Sequence, residues 1–231
     1  MIRNYTEFCT GLIKAGFSGA IGGKDDGIFG LFHYGWGAED DSQLHWHTGD
    51  PDTDPWEWRI RVLDERDGIA YSKVFFRKAG YITREWYPYF LAARRNGLSF
   101  AEAYEDGLYS HFCKRIYDAL QKSSPLPLHE IKLNAGFAKE DKAKFDKALT
   151  DLQMGLFITM CGRQQKRGKT GEEYGWASTM FCTVEAFWPE EVLEQASGIS
   201  AEDAEKMITE RIYLLNPNAD GKKVKKFICG K

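Results

Sequence analysis

Three stretches of this 231-residue chain carry side chains whose types and spacing could do chemistry. The first is "QLHWH", Gln43 to His47, followed by "PWEWR", Pro55 to Arg59. His45 and His47, with Asp50, Asp52, Asp54 and Glu57 nearby, offer nitrogen and oxygen donors, and in an extended strand residues i and i+2 point to one side. Two histidines without a defined third ligand do not make a metal site, and none is assigned. Trp56 and Trp58 would share one face of an extended segment and wall a pocket, with Glu57 and Arg59 facing the other way. In such a pocket His45 and Glu57 are the candidates for acid–base work. The plainer role for both indoles is core packing.

The second stretch is "GRQQKRGKTGEEYG", Gly162 to Gly175, where Arg163, Lys166, Arg167 and Lys169 fall between two strand-like runs. Cations on a hairpin tip can reach the phosphates of a nucleic acid, releasing counterions as they do so. The alternative is a solvated tip. The third stretch, Ala70 to Asn96, interleaves Lys73, Arg77, Lys78, Arg84, Arg94 and Arg95 with aromatic residues and a single acid, Glu85. Aromatics beside cations can stack bases while the cations hold phosphates. Equally, the rings can form core and the cations the wet faces of helices.

The elements that must position these residues read as a mostly helical α+β chain. Residues 1–109 form an N-terminal α/β part, open to being a degenerate winged helix, with a short helix at Tyr5–Ala15 and a helical reading for residues 68–96. No internal repeat is evident. In residues 110–188, Phe112, Ile116 and Leu120 mark one helix, a short helix follows "SSPLPL" at about Leu128–Ala135, and Phe145, Leu149 and Leu152 share a face of a third. That third helix leads into "LFITMC", the basic loop and "WASTMFCTVEAFW", two runs rich in β-branched and aromatic residues. Three helices followed by a hairpin is the order of a winged helix. Residues 189–231 read as a helical appendage, with Ser200 and Asp203 in capping relation and a lysine-rich end, Lys222 to Lys226.

In a winged helix on DNA the third helix enters the major groove and the wing grips backbone. Lys142, Lys144 and Lys147 would assist from that helix. They are matched by acids along it, however, and no Arg or Asn is present for bidentate base contacts, so little sequence preference is expected. A neutral third helix also fits a protein partner, which makes an interaction scaffold the alternative. The formal net charge of −3 excludes a surface that is basic throughout. Five scattered cysteines without a C-x-x-C pair suggest a reducing compartment, and the chain has no signal-like or membrane-spanning segment, so the expectation is a cytoplasmic protein.

"WEWR" (Trp56 to Arg59), "YSKVFFRKAGYIT" (Tyr71 to Thr83), "LTDLQMGLFITMCG" (Leu149 to Gly162) and "TVEAFWPEE" (Thr183 to Glu191) together resemble the AlkZ-related proteins, distant relatives of the AlkZ/YcaQ-type DNA glycosylases. The resemblance covers most of residues 50–190. It implies tandem winged-helix units embracing duplex DNA, and glycosylases that excise alkylated or cross-linked bases without a metal or organic cofactor. Those enzymes hold the attacking water with a Gln-apolar-Gln or Gln-apolar-Asp motif. Here Gln43, Gln121, Gln153, Gln164, Gln165 and Gln195 all lack Gln or Asp two residues on, and "QLH" puts His45 in that place. Base excision, or another hydrolysis at the His45–Glu57 pocket, therefore stands as a rival reading rather than an inherited one.

Overall fold

The computed structural model describes residues 2–19, 28, 45–65, 68–167 and 172–230. Within them the chain is α+β, richer in helix than strand, with small antiparallel sheets. Helix α1 (Tyr5–Ala15) starts where the Asn4 side chain accepts the Glu7 amide at 2.9 Å, and it buries Tyr5, Phe8 and Leu12. It stops at Gly16, whose φ of +94° suits glycine and where a β-carbon would lie 2.3 Å from the Trp86 ring. Strand β1 (Phe17–Ser18) follows. Helix α2 (Pro55–Glu65) begins behind Asp54, a buried carboxylate that accepts the Trp56 amide at 2.8 Å.

Strands β2 (Ile69–Phe75) and β3 (Lys78–Thr83) pair antiparallel with Tyr71 opposite Tyr81, and the sheet order is β1-β3-β2. This hairpin corrects the helical reading of residues 68–96; only α3 (Tyr87–Arg95) is helical there. Its turn is made by Phe76 and Arg77, at φ +50° and +62°, where Asn-Gly would be the usual signal. Such a conformation costs about 1 kcal/mol or more for a bulky residue. It is held by the Phe76 ring, 6.0 Å from that of Phe227, and by Arg77, which donates to Asp151 at 2.7 Å.

Helix α4 (Phe100–Glu105) carries a capping box between Ser99 and Glu102, and α5 (His111–Lys122) is capped by Ser110. Then come β4 (Leu126–Pro127), α6 (Leu128–Asn134), a 3₁₀ turn at Lys139–Asp141, α7 (Lys142–Met154), β5 (Ile158–Arg167) and β6 (Glu173–Thr183). The second sheet has the order β4-β6-β5. Ile116 and Leu120 of α5 meet Phe145, Leu149 and Leu152 of α7 in one core with Phe181 of β6. Helices α8 (Val184–Phe187), α9 (Glu190–Ser197), α10 (Ala201–Leu215) and α11 (Gly221–Cys229) complete the chain. Val192, Ile208, Ile212 and Phe227 of these helices share a core with Phe90 of α3 and Phe75 of β2, so the C-terminal helices close over the first sheet.

The same plan occurs twice. A helix, a short strand, a long helix and a hairpin give β1-β3-β2 in the first half and β4-β6-β5 in the second, where α6 and the 3₁₀ turn also stand between the short strand and α7. Most of the stretch between β1 and α2 lies outside the described residues. Each hairpin ends in Thr-x-Glu, Thr83 to Glu85 and Thr183 to Glu185, a repeat too short to notice before the elements are aligned. The halves also exchange contacts: α7 lies on β2, and α2 lies on β5. Buried Gln153 of α7 accepts from the Ser72 hydroxyl at 2.8 Å and the Lys73 amide at 3.0 Å. On the other side Arg163 of β5 donates to Glu57 of α2 at 3.0 Å.

Arginines close the C-terminal ends of several helices. Arg211 donates to the carbonyls of Lys14 and Ala15, and Arg115 to those of Ala135 and Gly136. Arg94 donates at 2.8–2.9 Å to the carbonyls of Met154, Phe227 and Ile228, joining the ends of α7 and α11. Burial pushes its guanidinium down to about 10, so it stays charged at neutral pH and favours the negative ends of both helix dipoles. Arg94→Met should lower stability by about 3 kcal/mol, because three carbonyls lose a charged donor at once. Urea unfolding with an unchanged slope would show this; a loss below about 1 kcal/mol would mean that water replaces the clip.

Candidate nucleic-acid interface

The β5–β6 hairpin begins inside the core and ends outside it. Ile158 and Thr159 are buried, whereas Arg163 and Gln164 are exposed. Register shifts between Met160 and Gly162 and between Gln164 and Lys166 bend β5 as it leaves, which is what bulges do to a strand. Of the four basic residues expected to act together, Arg163 is about half exposed and bound to Glu57. Lys166 and Arg167 lie on β5, paired in register with Tyr174 and Glu173. Lys169 lies outside the described residues.

On α7, Lys144 is paired with Asp141 at 3.0 Å and Lys147 with Asp151 at 2.6 Å, while Lys142 is exposed. The helix thus presents lysines whose charges are largely met by its own acids. The Lys222 to Lys226 run forms part of α11, with Val224 turned into the core.

At the start of α2 the expected pocket takes another form. Because residues 55–65 are helical and not extended, Trp56 and Trp58 diverge. Trp58 is fully buried and its ring stacks 5.2 Å from that of Phe8, whereas Trp56 is 42% exposed. Arg59 lies 3.3 Å over the Trp56 ring, and His47 sits 4.8 Å from it. His45 belongs to the preceding turn, its amide donating to the Thr53 carbonyl at 3.1 Å. Among the described residues no three His, Cys, Asp or Glu side chains are grouped to hold a metal.

Asp54, which the sequence offered only as an oxygen donor, and Asp64, which it did not single out, organise this corner. Asp54 accepts from the amides of Thr48, Gly49 and Trp56 at 2.8–3.0 Å, fixing the loop against the helix start. An Asp-Pro pair followed by Glu57 was the available signal. Asp64, two helical turns beyond Glu57, faces Gly162 and Arg163 on β5, and partial burial raises its carboxyl from the ordinary value despite the nearby guanidinium.

A protein-family model, described as AlkZ related, matches residues 2–229. The chain belongs to the AlkZ-related family. No curated protein and no solved structure matches this AlkZ-related chain. Membership suggests a DNA-glycosylase-related origin, and among the described residues no helix is long and apolar enough to cross a membrane.

Asp54→Ala should destabilise this AlkZ-related protein by about 2 kcal/mol and speed amide exchange at Thr48, Gly49 and Trp56. Unchanged exchange at those three amides would mean that the loop is fixed by something other than the carboxylate.

Proposed function

We propose that this AlkZ-related protein is a tandem winged-helix protein that binds duplex nucleic acid, with little sequence preference, through its β5–β6 hairpin. The observation that carries the reading is the hairpin itself: long strands leave the core, with Arg163 exposed at their departure and Lys166 and Arg167 further along. The repeated helix-strand-helix-hairpin plan and the family's glycosylase-related origin support it. The chain has no Gln-apolar-Gln or Gln-apolar-Asp sequence, so binding is assigned and base excision is not.

Glu57 restrains Arg163 through their ion pair. Glu57→Gln should release that guanidinium and tighten DNA binding by roughly threefold, within the worth of an exposed ion pair. A weaker complex would give Glu57 a direct part in binding.

Fluorescence anisotropy of a labelled duplex of about 20 base pairs tests the proposal. A log–log salt slope of about −3 to −4 is expected, from Arg163, Lys166, Arg167 and Lys169 each meeting one phosphate. The variant with all four changed to Glu should lose binding. Binding that survives in the variant would move the interface elsewhere. No binding at low salt would favour the second reading, a protein-interaction scaffold, which the acid-paired lysines of α7 already suit.

A further inference from the structure

A second basic feature lies away from the β5–β6 hairpin. Where α3, α7 and α11 end beside the segment after α4, they enclose a cavity of about 290 Å³. Arg77, Arg94, Arg95 and Lys147 line it against a single acid, Asp151. That carboxylate is shared between Arg77 at 2.7 Å and Lys147 at 2.6 Å, so it cannot neutralise both. Arg94 spends its bonds on backbone carbonyls and has no carboxylate partner among the described residues. Arg95 bonds to Glu185 and to the Leu156 carbonyl, yet its Nε is buried with no acceptor.

The walls keep this space open. Gly155 forms part of the lining, and a β-carbon there would come within 2.0 Å of the Tyr109 hydroxyl, so glycine is needed for the close approach. Leu98, Leu108 and Phe157 add an apolar side. A neighbouring basic hollow, lined by Lys222, Lys225 and Lys226, shares Arg94 with it.

We propose that this cavity is a phosphomonoester-binding site. The excess of cations over acids matches a group that carries nearly two negative charges at neutral pH, and guanidinium forks suit its oxygens better than they suit a lone carboxylate. The volume is at the small end for ligand sites, which fits a phosphate with a modest organic body on the apolar side. The phosphate could belong to a free nucleotide or to the 5′ end of a nucleic-acid strand, since both present the same chemistry. The site stands independently of the hairpin proposal.

Isothermal titration of the full chain with a nucleoside 5′-monophosphate tests it, with the nucleoside alone as control. The account expects one site per chain, no binding of the nucleoside, and weakening below about pH 6 as the dianion protonates. Lys147→Glu and Arg77→Glu, both on side chains open to solvent, should each weaken binding about tenfold or more with unchanged circular dichroism. A monophosphate that does not bind at millimolar concentration, or one held equally by both variants, would overturn the proposal. In a parallel arm, oligonucleotides with 5′-phosphate and 5′-hydroxyl ends compete for the bound monophosphate. Competition by the phosphorylated strand alone supports the site with a strand end as its source, and competition by neither supports it with a free nucleotide. Equal competition by both strands would contradict it.

Discussion

Arg94 brings one guanidinium to the C-terminal carbonyls of α7 and α11, and much of the molecule follows from that placement. The end of α7 determines where β5 starts, four residues later, and hence where the second hairpin leaves the core. The same contact ties the C-terminal helices to the centre through Phe227 and Ile228, whose side chains join the core beneath the first sheet. A guanidinium drawn partly out of water needs compensation. Here it comes from carbonyls that would otherwise be left over at two helix ends, so one interaction removes two deficits.

Duplication of the plan makes the difference between the two hairpins informative. The first is short, and its tip residues Phe76 and Arg77 contact Phe227 and Asp151 of the protein's own helices. The second has longer strands, 10 and 11 residues against 7 and 6, with Arg163 and Gln164 exposed, and Glu57 of α2 reaches across to Arg163. One hairpin has therefore become a structural brace while its counterpart keeps an outer surface. The strained turn at Phe76 and Arg77 is held by packing and an ion pair, and the register shifts of the outer hairpin redirect it as it leaves the core.

The second half was the more legible in the sequence because its signals are local. Phe145, Leu149 and Leu152 repeat at helical spacing, Gly136 ends a helix, and Ser110 and Ser200 cap as their types suggest. The first half hid its hairpin because Phe76 and Arg77 take positive φ without the glycine or asparagine that announces such a turn. Trp56 and Trp58 read as one face because the Asp54-Pro55 helix start was passed over, and a period of 3.6 sends them apart. The interface chemistry was only partly readable for a different reason. Ion pairs such as Glu57 with Arg163 and Arg77 with Asp151 join residues more than seventy positions apart, and no spacing rule finds those. Gln153 was noted only for lacking a glycosylase motif, whereas its amide holds one half of the protein to the backbone of the other.

The central claim is that the outer hairpin meets nucleic acid while the inner one braces the fold. Hydrogen–deuterium exchange of the full chain, with and without a saturating duplex at low salt, tests it most directly. New protection is expected in residues 158–183, with unchanged exchange in residues 69–83. Protection confined to the first hairpin, or no change in the second under conditions where the duplex is bound, would contradict it.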